Sequence, residues 1–144
     1  MYSNWYPTEA TNGSVDNREG LLHGQDPAAP VPRDGTFLGA LFESLATLSV
    51  RVFAAASGAT VGHLRTKGGA REIDLCVSAA DSSGVVAMEV KMSPSVDDHD
   101  VRHLLWLKQE LGADFLDGVV LTSGPYAYRR TDGIAVVPLG LLGP

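Results

Sequence analysis

The stretch REIDLCVSAADSSGVVAMEVKM, residues 71–92, decides how this chain is read. Two runs alternate apolar and polar residues on either side of Asp81-Ser82-Ser83-Gly84, a strong turn sequence. They predict strands over Ala70–Ser78 and Val85–Met92. Ile73, Leu75 and Val77 fall on one face with Val86, Met88 and Val90, and are expected in the core. The other face presents Glu72, Asp74 and Cys76 with Ala87, Glu89 and Lys91. If Val77 pairs with Val86, the same register sets Asp74 opposite Glu89 and Glu72 opposite Lys91. Like charges facing each other across a ladder are destabilising, so water, a shared proton or a cation must relieve the pair. Hard divalent cations prefer such oxygen ligands, and Lys91 leaves the strand on the same side. The plainer alternative is an amphipathic surface hairpin whose Glu72–Lys91 pair contributes at most about 1 kcal/mol.

Outward from the hairpin, Thr60–Thr66 predicts a further strand, joined to it through Lys67-Gly68-Gly69. Before it, Phe37, Leu38, Leu41, Leu45, Leu48 and Val52 recur at helical spacing and predict a helix whose apolar face they form. Asp34 or Thr36 is placed to cap its start and Gly58 to stop it. A second helix is predicted from about Asp97 to Leu111, with Val101, Leu104, Leu105 and Leu107 as its apolar residues and Gly112 as its end. Strands near Val119–Thr122 and Ile134–Val137 follow. The order αβββαβ with a short extra strand predicts an α/β layered domain over 34–144. Residues 1–33, rich in Pro, Gly and Asn, read as an extended or disordered lead.

The bulk properties limit the function. No uninterrupted apolar run approaches the roughly 20 residues that span a bilayer, and the N-terminus lacks a signal-like pattern. The single cysteine, Cys76, excludes an internal disulfide and a cysteine-rich zinc framework, so a reducing cytoplasm is the expected setting. A net charge of −6 is a poor footprint for coating nucleic acid, although a bound cation can invert the field around carboxylates. No GxxxxGK[ST] loop is present, which argues against P-loop ATP hydrolysis by this chain.

The order helix, Asp, hairpin to Glu-Val-Lys, helix, strand resembles the PD-(D/E)xK superfamily of restriction-endonuclease-like nucleases. More narrowly, the runs GTFLGALFESLATLSVRVFA, HLRTKGGAREIDL, VVAMEVKMS, DVRHLLWLKQELG, DGVVLTSGPYAYRR and DGIAVVP resemble the C-terminal domain of a family of prokaryotic AAA-type ATPases. That likeness runs from Gly35 to the end and leaves out residues 1–33. It implies a restriction-endonuclease-like core with a mixed central sheet flanked by helices. It makes Asp74 and Glu89 the ligands of Mg2+ or Mn2+, Lys91 the catalytic lysine and Glu43 a helix glutamate assisting the metal. The activity implied is phosphodiester hydrolysis of DNA. The alternatives are a noncatalytic nuclease-fold interaction module or a truncated C-terminal domain of an AAA-type ATPase. DNA and a separate ATPase are the partners implied, a homodimer is allowed, and no membrane is expected. Ile73 stands where the motif's proline would be. On a helical wheel Glu43 falls almost opposite the leucine face, and reaches the site only if Gly39, Ala46 and Val50 let the helix pack on a second side.

Other features have plainer readings. Asp97, Asp98, His99 and Asp100, with His103 one turn on, are expected to be helix-end acids and surface histidines rather than a metal site. Tyr126, Tyr128, Arg129 and Arg130 form an aromatic-basic loop. Arg129 and Arg130 are its candidate nucleic-acid contacts, against the reading of an ordinary solvated loop. His63 is expected to be exposed or hydrogen-bonded, and Cys76 to be a small packing residue.

Overall fold

The chain is described by a computed structural model covering residues 5–7, 35–81 and 83–143. A short strand, β1 (Trp5–Pro7), precedes helix α1 (Gly35–Ala56). Three strands follow, β2 (Thr60–Arg65), β3 (Glu72–Ser78) and β4 (Val85–Lys91). Helix α2 (Asp98–Leu111) leads to β5 (Phe115–Thr122), then β6 (Tyr128–Arg129) and β7 (Ala135–Pro138). These strands form one mixed sheet in the order β1-β2-β3-β4-β5-β7-β6. β1 to β4 pair antiparallel, β4–β5 and β5–β7 pair parallel, and β6 returns antiparallel to β7. A parallel β4–β5 pair needs a crossover, and α2 supplies it.

The architecture is therefore α/β, with the predicted order of elements and a mixed sheet. β5 begins four residues earlier than its expected start, because Asp117 and Gly118 weakened the pattern there. β6 was not anticipated. Within the expected lead, Trp5–Pro7 pairs with β2 as the edge strand of the sheet; the rest of that segment lies outside the described residues.

Both faces of the sheet are covered. On one, Cys76, Ala87 and Val120 pack against Val101, Leu104 and Leu107 of α2. On the other, Leu75 and Leu121 pack against Ala46 and Val50 of α1. Two expectations need correction. First, Ile73 does not share a face with Leu75 and Val77 but joins the α2-side core. The β2–β3 register runs from Gly62↔Cys76 to Leu64↔Ile73, so β3 carries one extra residue and its alternation inverts.

Second, the leucine stripe of α1 is not core. Leu41, Leu45, Leu48 and Val52 are 50–61% exposed, while Ala46, Val50 and Ala54 are buried. The sheet face already supplies bulky Leu75, Met88, Val90 and Leu121, and small helix residues let the backbone approach it closely. Gly58 ends α1 with φ 69°, as its position in the sequence suggests. α1 is also long and apolar enough to cross a bilayer, with Glu43 and Arg51 its only charges. Counting uninterrupted runs misses this, because Ser, Thr and Gly punctuate the helix.

Candidate functional site: a carboxyl pair where two strands part

Ser78↔Val85, Val77↔Val86 and Leu75↔Met88 hold the register expected from the hairpin. Beyond Met88 a side chain takes over, and Oδ2 of Asp74 accepts the Val90 amide at 2.8 Å. The bulge in β3 brings this about, because it places Asp74 beside the last turn of the ladder. Glu89, the residue before Val90, lines the same cleft as Asp74, close enough for the two carboxyls to interact. Burial, then the negative charge of Asp74, push Glu89 up to about 9, so Glu89 is the member of the pair that holds a proton.

Lys91, at the end of β4, forms an ion pair with Asp100. The same Asp100 Oδ2 accepts the Asp97 amide at 2.8 Å, while Asp97 Oδ1 accepts the amides of His99 and Asp100. This capping box starts α2 and anchors the Lys91 ammonium at the helix N-terminus. The Lys91 hydrogen bond and the Asp97 amide hold Asp100 below the usual carboxylate range, against the opposing effect of burial.

His103 completes the wall. Its Nδ1 lies 2.7 Å from the Glu72 carbonyl and 4.0 Å from a Glu89 oxygen, and its Nε2 accepts from Arg102 Nε at 3.1 Å. The carbonyl can only accept, so the proton sits on Nδ1. His103 is half-buried rather than the surface residue expected, whereas His99 and His63 are exposed. Asp100 and His103 are one turn apart on the helix that begins next to the end of β4, and that adjacency was the signal available in the sequence.

Glu72, Asp74, Glu89, Lys91, Asp100 and His103 border an open cleft of about 340 Å3. Asp74 also borders a second concavity of about 230 Å3, shared with Glu43, Thr47, Arg51 and His63. Glu43 therefore overlooks the site from α1. It lies opposite the leucine stripe, as the wheel indicates, and because that stripe faces solvent, Glu43 faces the sheet side.

Asp74 and Glu89 are the groups that could hold a divalent cation: two hard oxygen ligands, one carrying a proton that a cation would displace. Asp97, His99 and Asp100 also bring ligand atoms within 4.8 Å of one another. The two acids there already serve the helix cap and Lys91, which agrees with the helix-end reading.

The loop arginines have intramolecular partners. Arg129 grips Asp117 through both terminal nitrogens at 2.9 Å and the Gly133 carbonyl at 2.7 Å. Arg130 binds Asp132 at 3.0 Å, the Val96 carbonyl at 3.1 Å and Asp98 at 2.5 Å. Tyr126 and Tyr128 remain exposed. Cys76 is buried in the α2-side core, and burial followed by the Glu89 charge pushes its thiol up to about 12, which fits the packing role expected of it.

The fold and the site define an α/β domain with a half-buried carboxyl pair and a lysine at the end of a parallel strand. Residues 38–142 match the family described as Domain of unknown function (DUF4143), and the chain belongs to that family. No curated protein and no solved structure matches it.

Proposed function

We propose that this chain is a metal-dependent nuclease-like domain of the PD-(D/E)xK kind, acting on DNA by phosphodiester hydrolysis. The observation that carries the reading is the convergence of Asp74 and Glu89 at the parting of β3 and β4, with Lys91 on the same cleft. Mg2+ or Mn2+, held by Asp74 and Glu89, would lower the pKa of a water and screen phosphate charge. Lys91, released from Asp100 or shared with it, orients that water and stabilises charge on the phosphate. Glu43, which shares a concavity with Asp74, would hold a further water there. The likeness to the C-terminal domains of AAA-type ATPases supports a separate ATPase as partner. The test incubates plasmid, linear and branched DNA with Mg2+ or Mn2+, beside Asp74→Ala and Lys91→Ala. Cleavage confined to the wild type is expected; no cleavage above those variants sinks the proposal.

One observation favours a second reading, a noncatalytic interaction module: Lys91, Arg129 and Arg130 are all engaged by acids of the same chain. On that reading Asp74→Ala retains the partner ATPase in a pull-down. Loss of the partner with an intact fold rejects it.

A further inference from the structure

Helix α1 carries two faces that answer to different surroundings. Ala46, Val50 and Ala54 bury against the sheet at four-residue steps. On the far side Leu38, Leu41, Leu45, Leu48 and Val52 follow one another at steps of three, four, three and four, and every one is at least 42% exposed. That spacing averages 3.5 residues, the period of a helix–helix seam rather than of a helix lying on a sheet. Phe37 lengthens the stripe at its start. Leu141, 62% exposed, adds to it across the groove shared with Leu45 and Ser49.

We infer that this stripe is the interface of a homodimer in which α1 packs against α1 of a second copy. Three observations select a second copy over other occupants. Ser44 and Ser49, which flank the stripe beside Leu45, are uncharged, and Arg51, the one charge at its edge, lies near one end, so in an antiparallel pairing centred on Leu45 the two Arg51 side chains do not meet. Arg51 is the only cation on α1, and the chain carries a net charge of −6, which gives an anionic membrane surface nothing to attract. Residues 8–34 supply only Val15, Leu21, Leu22 and Val31 as branched aliphatic side chains, too few to match the stripe. Phe37, the five stripe residues and Leu141 are each 42–62% exposed, and this is the apolar surface such a contact would draw on toward the roughly 800 Å2 per partner of a stable interface. A two-fold axis passing beside Leu45 closes the contact, so the assembly stops at two. The acid pair and Glu43 lie on the opposite side of α1 and stay open in the dimer. The inference does not depend on the metal-site reading.

The test is sedimentation equilibrium of the full chain from 1 to 200 μM, for the wild type and for Leu45→Glu with Leu48→Glu. A wild-type dimer and a monomeric double variant with unchanged circular dichroism are expected. A wild type that stays monomeric throughout overturns the proposal, as does a variant that remains dimeric. Leu45→Cys supplies an independent reading: mild oxidation gives a covalent dimer, and Lys67→Cys, on an exposed turn, does not. Equal cross-linking of the two rejects the seam. Flotation with phosphatidylcholine/phosphatidylglycerol vesicles separates the membrane alternative. Binding by a monomeric wild type, lost in the double variant, assigns the stripe to lipid and overturns the dimer.

Discussion

Asp74 Oδ2 accepts the Val90 amide at 2.8 Å, so a side chain rather than a strand carries the ladder past Met88. One carboxyl thus helps to shape the site and forms half of its acid pair. Asp74→Ala leaves the Val90 amide without its acceptor and should cost roughly 1–2 kcal/mol. Asp74→Asn keeps an acceptor and should stay within about half a kcal/mol of wild type. Urea unfolding of the two variants checks this, and equal losses would contradict it.

Glu89 gives stability a pH dependence of known sign. Folding raises its carboxyl from 4.5 to about 9, so the folded chain binds the proton more tightly than the unfolded one. The contribution is fully present below the unfolded value and is lost as pH rises through the folded value. Between pH 5 and 9 stability should fall, by on the order of 1 kcal/mol per pH unit at the steepest. Glu89→Gln should flatten this slope, as read from thermal midpoints across that range. Asp100 and Asp117 have lowered values, so their contributions are present above the usual aspartate range and lost only as pH falls through it.

A divalent cation must displace that proton. Mg2+ or Mn2+ should therefore raise the thermal midpoint of the wild type more at pH 8.5 than at pH 6.5, and leave Asp74→Ala unchanged. An equal rise in the variant would place the ion elsewhere.

Asp100 joins the helix cap to Lys91. Asp100→Ala should cost about 1–2 kcal/mol by opening the capping box and leaving Lys91 without its partner. Lys91→Met alone should cost less than about 1 kcal/mol, since the cap persists. A double-mutant cycle in urea should show coupling of roughly 0.5–1 kcal/mol between them. Strict additivity would deny the link.

Gly84 closes the β3–β4 turn at φ 156°, where a Cβ would lie 2.6 Å from Leu116 Cγ and 2.9 Å from the Asp114 carbonyl oxygen. Gly84→Ala should lower stability by more than about 2 kcal/mol, because a backbone oxygen is the harder obstacle. Gly68, with no atom within 4 Å of its Cβ position, suffers only from its φ of 90° and should lose less on the same change.

Much of this arrangement is legible in the residues. The hairpin register follows from Val77 facing Val86, and with it the prospect that Asp74 and Glu89 meet. The α2 cap is legible from Asp97 and the acids after it, as is the left-handed stop at Gly58. The Ile73 phase was not legible, since a bulge inserts one residue without altering composition. His103 was read as a surface residue, because a histidine on a helix reads as solvated until its neighbours are known. Asp117, Asp98 and the Val96 carbonyl, which hold Arg129 and Arg130 besides their loop neighbours Asp132 and Gly133, lie on other segments, where no local pattern points.

The sequence by itself determined what short-range rules control: the order of helices and strands, their caps and turns, and an acid–acid–lysine hairpin. These depend on periodicities of two and 3.6 residues and on backbone preferences, which act within a few positions. Only the tertiary structure decided which face of α1 is buried, since its leucine stripe and its small-residue stripe are both apolar. Packing against a sheet already filled with bulky side chains selected the small one. That choice turned Glu43 towards Asp74 and left the leucines in solvent. The raised Glu89 carboxyl is likewise a tertiary effect, since burial of Glu89, half-buried beside α2, is its largest cause and the Asp74 charge the next.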